Sequence, residues 1–352
     1  MGAARTPTIG TPDLDGPSGG APSDTAVDVL GALLLTGCAS WSLYAASGRD
    51  AHPEGVLLGL LAVAAGYAAG RIAGAVAPVG SPAVIAVAVG VLALVAPGGL
   101  SGDPAAPPLH DADANGALIA LAVGAACCAA QTARATGPGL RHVRPALLLA
   151  ALALLACALT VEAVTTGSTA AVLACLGIVI LAVAVRTAGR RLPALLLLGL
   201  CAALAVAAPL LLARSGADLT ARGGGLPLSE QRAALWHDAV QEAGREPLRG
   251  VGPGRFTELS PAAQDFSTPG GPSSAALEVA AEQGVPGLCL LIASYGWMMW
   301  TLRRAPGPTS TALTAAGALT ALAVEAAISP VLSFPGITAG AGPPGGLGRG
   351  AG

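Results

Sequence analysis

Nine apolar stretches, each about the length that crosses a bilayer and nearly free of charge, constrain this chain more than any motif does. They lie near 27–47, 55–77, 79–97, 115–133, 145–163, 168–186, 192–213, 275–302 and 309–328. Within hydrocarbon every backbone N–H and C=O must be paired inside the protein, so apolar segments of this length fold as helices. The expected fold class is therefore all-α: a polytopic transmembrane helical bundle of about 9–10 spans with one large extracytoplasmic loop. Composition agrees. Charged residues are 11% of the chain and mean hydropathy is +0.68, whereas soluble domains carry roughly 25% charged residues. Every basic residue is an arginine, and the net charge of −2 suggests no nucleic-acid partner. The seven cysteines all fall in apolar runs without metal-ligand spacing, which reads as small membrane-buried residues, with no disulfide framework and no metal.

The organisation follows from where polar residues interrupt the pattern. Residues 1–26 form a Gly/Pro/Ser-rich N-terminal tail expected to be disordered, 27–213 carry seven spans, 275–328 carry the C-terminal spans, and 329–352 are a Gly/Pro-rich tail. The eighth stretch is interrupted by Gly284 and Pro286, so a break is expected at 284–287, with the part before it at or above the membrane surface. Short connections at 134–144, 186–191 and 303–308 are arginine-rich, whereas 98–114 holds Asp103, Asp111 and Asp113 and no arginine. The positive-inside rule then predicts a plasma (inner) membrane protein with its N-terminus cytoplasmic and the loop 214–274 outside. Trp297 and Trp300 beside Arg303 and Arg304 read as an interfacial aromatic anchor at the cytoplasmic side.

The polar loop is where chemistry concentrates. Its segment 229–245 has helical periodicity, with Leu235, Trp236, Ala239, Val240 and Ala243 on one stripe and Asp238, Gln241, Glu242 and Arg245 away from it. Arg232 is one turn before Trp236, and a guanidinium turned inward needs an anionic partner because it cannot be discharged. Arg249 and Arg255 flank the turn Gly250-Val251-Gly252-Pro253-Gly254. The three arginines could hold a phosphate group bidentately, or pair with Glu230, Asp238, Glu246 and Glu258. The turn could present backbone amides to an anion, or simply close the loop onto the bundle. Glu282 could orient or deprotonate a hydroxyl, or bond to amides freed by the break, with Glu278 one turn earlier on the same face. His237 and Asp238 read as solvent-exposed, and Glu162 and Glu325 as interfacial or bundle-facing.

The pattern Pro247-Leu248-Arg249-Gly250-Val251-Gly252-Pro253-Gly254-Arg255-Phe256, followed by Glu282-Gln283-Gly284-Val285-Pro286-Gly287 leading into an apolar span, resembles the large loop of the O-antigen ligase and polymerase family. These are membrane glycosyltransferases acting on polyprenyl-pyrophosphate-linked glycans. The resemblance implies cell-surface polysaccharide biosynthesis by a metal-independent transferase without a cofactor, working among membrane lipids on the extracytoplasmic face. The partners it implies are a polyprenyl-pyrophosphate-linked glycan and a glycan or lipid acceptor. It implies substrate binding by Arg232, Arg249, Arg255, Gly252, Gly254 and Ser273, with Glu282 as the catalytic candidate. Two positions depart from the family. Ser273 and Ser274 stand where members keep a His-Asn pair, and Thr169 stands where they keep an arginine. A non-catalytic relative that binds lipid-linked glycan or scaffolds envelope assembly is therefore a second reading. A small-molecule transporter is a third, disfavoured because charges within the spans are scarce.

The orientation has a direct test. Leu140→Cys and Ala188→Cys should be shielded from an impermeant thiol reagent in intact cells, and Arg222→Cys labelled; labelling at 140 or 188 in sealed cells overturns the orientation.

Overall fold

The structure, a computed structural model, describes residues 22–95, 112–136, 145–165, 168–187, 190–214, 230–265 and 274–328. Residues 1–21 of the expected N-terminal tail, the C-terminal tail, Ser229 and Ser273 lie outside these residues, whereas 22–26, expected to belong to the disordered tail, are helical as the start of α1. Among the described residues the chain is helical and has no strand. Nine apolar helices occupy the nine apolar stretches: α1 (Pro22–Ala46), α2 (Glu54–Val76), α3 (Gly80–Val95), α4 (Ala112–Thr136), α5 (Pro145–Thr165), α6 (Thr169–Ala184), α7 (Arg191–Arg214), α11 (Ala275–Arg304) and α12 (Thr309–Ile328). Three shorter ones, α8 (Glu230–Arg245), α9 (Phe256–Leu259) and α10 (Pro261–Asp265), fall between α7 and α11. Seven of the apolar helices are long and apolar enough to cross a membrane. The other two, α3 and α6, are 16 residues each.

The bundle is built around α4. Within Asn115–Thr136 an 18-residue stretch is wholly buried, whereas the corresponding stretch of α2 is 6% buried. Helix α4 is rich in Ala, Gly and Cys, and without a hydrophobic drive between helices in lipid, small residues let backbones approach closely. A Cβ on Gly124 would come within 2.6 Å of the Ala318 Cβ of α12, and one on Gly116 within 2.2 Å of the Ala171 Cβ of α6. Polar groups in this centre find partners across helices: Gln131 donates to the Ala182 carbonyl, and the Thr132 and Thr311 hydroxyls are 3.3 Å apart. The outer helices turn large aliphatics outward, Leu61, Leu154, Ile180 and Leu200 among them, as lipid-facing surfaces do. Glu325 is buried in α12.

One expectation is corrected. Trp297 is not a surface anchor. It is buried against Gly31 of α1 and the Tyr67 ring of α2, and its indole N–H donates to the Val27 carbonyl at 3.0 Å. Trp300 is the exposed one, with the Arg303 and Arg304 guanidiniums 5.3 and 4.8 Å from its ring. The cysteines divide between packed and outward-facing positions on the helices: Cys127, Cys128 and Cys175 are buried, while Cys157, Cys201 and Cys289 are exposed on helix faces. All seven are free thiols.

Candidate functional site

The site is organised by a helix that breaks. Within α11, Gly284 takes φ 69° and ψ −168°, and Pro286 follows without an N–H. In an unbroken helix the amides of residues 285, 286 and 287 would serve the carbonyls of 281, 282 and 283. Val285 turns its N–H to Pro247 and Pro286 has none, so the carbonyls of 281 and 282 need other donors, and unpaired buried carbonyls cost about 1–3 kcal/mol each. Both are met from elsewhere in the chain. Val251 N–H donates to the Ala281 carbonyl at 2.9 Å and Gly252 N–H to the Glu282 carbonyl at 2.9 Å. The Trp41 indole of α1 donates to the Gln283 carbonyl at 2.9 Å. In return Val285 N–H, freed from its helical partner, donates to the Pro247 carbonyl at 2.8 Å. The Gly-Val-Gly-Pro-Gly turn and the Gly284 break are thus two halves of one lock.

Gly250 and Gly284 are required by this close approach. Gly250 has φ 64°, and a Cβ there would fall 2.3 Å from the Glu282 carbonyl carbon; one on Gly284 would fall 2.6 Å from the Pro247 oxygen. The turn's amides face inward as a result. Gly250 N–H bonds the Glu246 carbonyl, Val251 and Gly252 serve α11, and Phe256 N–H donates to a Glu282 carboxylate oxygen at 3.3 Å, with the Gly254 amide turned on the same carboxylate. The turn closes the polar segment onto the bundle. Gly252 and Gly254 act in it by allowing contact: the site of a Cβ on Gly252 is 3.2 Å from Ala51, and that on Gly254 is 3.0 Å from His52.

Arg249 and Arg255 leave the turn in different ways. Arg249 spreads one nitrogen over the end of α1, donating to the Tyr44 carbonyl at 2.7 Å, the Ser47 carbonyl at 2.9 Å and the Ser47 hydroxyl at 3.0 Å, with its guanidinium 4.5 Å from the Tyr44 ring centre. It caps carbonyls that the last turn of a helix leaves open. Arg255 is half-buried with its Nε 3.9 Å from the Glu258 carboxylate. Arg232 is half-buried on α8, one turn before Trp236. Helix α8 presses Leu235, Trp236 and Ala239 onto Leu277, Ala281, Phe256 and Ala213.

The polar face of α8 differs from expectation in two places. Glu242 is buried rather than on the wet side, ion-paired with Arg245 three residues on. Asp238 is half-buried because it caps α10, accepting from the Ser260 hydroxyl at 2.7 Å and the Ala262 amide at 3.0 Å; His237 is exposed. Glu282 is 6% exposed, and among the described residues neither it nor Glu278 is in an ion pair. Thr169 is exposed at the start of α6, and Ser274, next to the undescribed Ser273, is fully buried at the start of α11.

Sequence reasoning missed the contribution of α1 and its connection to α2. Arg49 donates to both the Gly250 carbonyl and the Glu246 carboxylate, and His52 N–H bonds the Pro253 carbonyl at 2.8 Å. A Cβ on Gly252 would be 3.4 Å from Arg255 Cδ and 3.7 Å from Arg49 Cδ, so both stems flank the turn. The available signal was topological. Alternation of the spans puts residues 47–53, with Arg49, Asp50 and His52, on the same side as the large loop.

A family model described as O-antigen ligase matches residues 150–292. Over that segment the chain is similar to the O-antigen ligase family. The matched segment contains both halves of the lock, all three loop arginines and Glu282, and it leaves out Trp41, Tyr44 and Arg49. No curated protein and no solved structure matches the chain.

The lock predicts which glycines tolerate a methyl group. Gly250→Ala and Gly284→Ala should each destabilise the protein by at least about 1–3 kcal/mol through backbone strain alone. Gly59→Ala, a helical site with open space around it, should be neutral or slightly stabilising. Thermal unfolding in detergent compares the three, and equal behaviour would contradict the lock.

Proposed function

We propose that the protein transfers or polymerises glycan from a polyprenyl-pyrophosphate donor on the extracytoplasmic face of the plasma membrane. The observation that carries this reading is the coincidence of the O-antigen ligase match with a cap in which Arg255 and Arg49 flank Gly252 beside a buried Glu282. An acceptor hydroxyl oxygen attacks the anomeric carbon, the bond from that carbon to the pyrophosphate oxygen breaks, and polyprenyl pyrophosphate departs with the electron pair. The leaving group gains charge, which arginines stabilise best because they stay ionised and present a planar fork. Arg232 and Arg255 take this role. Arg249 is chiefly a positioning residue, since it is already engaged with the end of α1. The hydroxyl proton passes to a carboxylate, for which Glu282 is the candidate.

Ser273 and Thr169 favour a second reading in which the same cap binds lipid-linked glycan without turning it over. A serine hydroxyl does not titrate in the range a general base requires. Both readings need pyrophosphate binding. Arg232→Ala should weaken binding of a polyprenyl pyrophosphate by about 1.5–3 kcal/mol, the size of a charge-assisted hydrogen bond, and Arg232→Lys should recover only part of it. Product formation by the wild type selects the transferase. Binding without product, with transfer gained by Ser273→His combined with Thr169→Arg, selects the binder. No binding by the wild type refutes both.

A further inference from the structure

The other end of the bundle has charge that the proposed function does not use. Where α4 and α6 end and α12 begins, a cavity of about 360 Å³ is lined by Gln131, Arg134, Ala135, Arg186 and Ser310. Two guanidiniums from different elements share this space, and among the described residues neither is in an ion pair. The neighbouring Arg191 shows the contrast. It donates to the Ala305 and Gly307 carbonyls and to the Thr309 hydroxyl, so it ties the connection before α12 to α7 and fixes the wall that holds Ser310. Gln131 is likewise held, by its bond to the Ala182 carbonyl.

Nothing in the adjoining sequence neutralises Arg134 and Arg186. The connections 137–144, 187–190 and 303–308 add Arg141, Arg144, Arg190, Arg303 and Arg304 and contain no Asp or Glu. Both arginines are exposed, and so open to an anion from outside the chain. Arg134 lies in the last turn of a membrane-spanning helix, the depth at which lipid headgroups sit. Two arginines around one cavity match the several acceptor oxygens of a phosphate, and basic pockets between transmembrane helices are suited to anionic headgroups. A second, uncharged cavity of about 390 Å³ adjoins it at Ala135, lined by Thr132, Thr136 and prolines, and gives room for the neutral remainder of a headgroup.

We infer that Arg134 and Arg186 form a binding site for the phosphate of an anionic phospholipid headgroup, at the end of the bundle opposite the Gly-Val-Gly-Pro-Gly turn.

The test is a thermal-shift titration of the full chain in neutral detergent with short-chain phosphatidylglycerol, phosphatidylcholine and inorganic phosphate. Phosphatidylglycerol should bind at least about tenfold more tightly than phosphatidylcholine, and Arg134→Gln with Arg186→Gln should erase the difference, each lost guanidinium costing about one charge-assisted hydrogen bond. Arg303→Gln with Arg304→Gln, an equal charge change outside the cavity, should keep it. Should the glutamine pair fail to fold, Arg134→Lys with Arg186→Lys retains charge without the fork and should reduce the preference partially. A saturable response to inorganic phosphate equal to that for phosphatidylglycerol would keep the phosphate site but overturn its assignment to lipid. A preference unchanged in the Arg134/Arg186 variants, or lost equally in the Arg303/Arg304 variant, would overturn the site itself.

Discussion

A helix broken inside an apolar bundle must have its backbone groups satisfied by something other than water. That requirement organises the functional end of this protein. The Gly284 break in α11 frees the carbonyls of Ala281 and Glu282, which accept from the Val251 and Gly252 amides, and the Trp41 indole donates to the adjacent Gln283 carbonyl. The polar turn is therefore not a loop resting on the bundle but the missing continuation of α11's hydrogen bonding. Because the turn is fixed, Arg249 meets the end of α1, Arg255 lies beside Gly252, and the Phe256 amide reaches the Glu282 carboxylate. On the proposed function this alignment holds the binding groups in place before substrate arrives.

Helical class and the positions of the apolar helices were legible because nearly uncharged runs of span length admit one secondary structure. What was not legible was which helix faces lipid. In α4 and α2 apolar residues occur all round, so periodicity is silent, and both are about half Ala and Gly, so composition does not separate the central helix from the outer one either. The break at Gly284 could be read from Gly and Pro in an apolar run. Its partners could not, because Trp41 and Val251 are linked to it only through tertiary structure.

At the site, residue type pointed to the right segment but not to each residue's task. Arg249, Arg255 and Glu282 come together around the turn, yet Arg249 caps α1 and the turn's amides serve α11. Asp238 and Glu242 were assigned to a wet face by helical spacing, and tertiary structure overrides both: α10 packs on α8, where Asp238 caps it, and Glu242 is buried and paired with Arg245. Arg49 was missed because it lies two hundred residues from the motif it supports. A family match over 150–292 likewise stops short of α1, although α1 supplies the indole that donates to the Gln283 carbonyl.

The central claim is that the turn completes α11, and amide hydrogen exchange on the full chain in detergent addresses it directly. Bonded as they are to buried carbonyls, the Val251, Gly252 and Val285 amides should be protected to the level of the flanking helical amides. Replacing Trp41 with Phe removes the donor to the Gln283 carbonyl and should speed exchange at all three together. Exchange at Val251 and Gly252 as fast as in an exposed loop, while α11 stays protected on both sides of Gly284, would contradict the account.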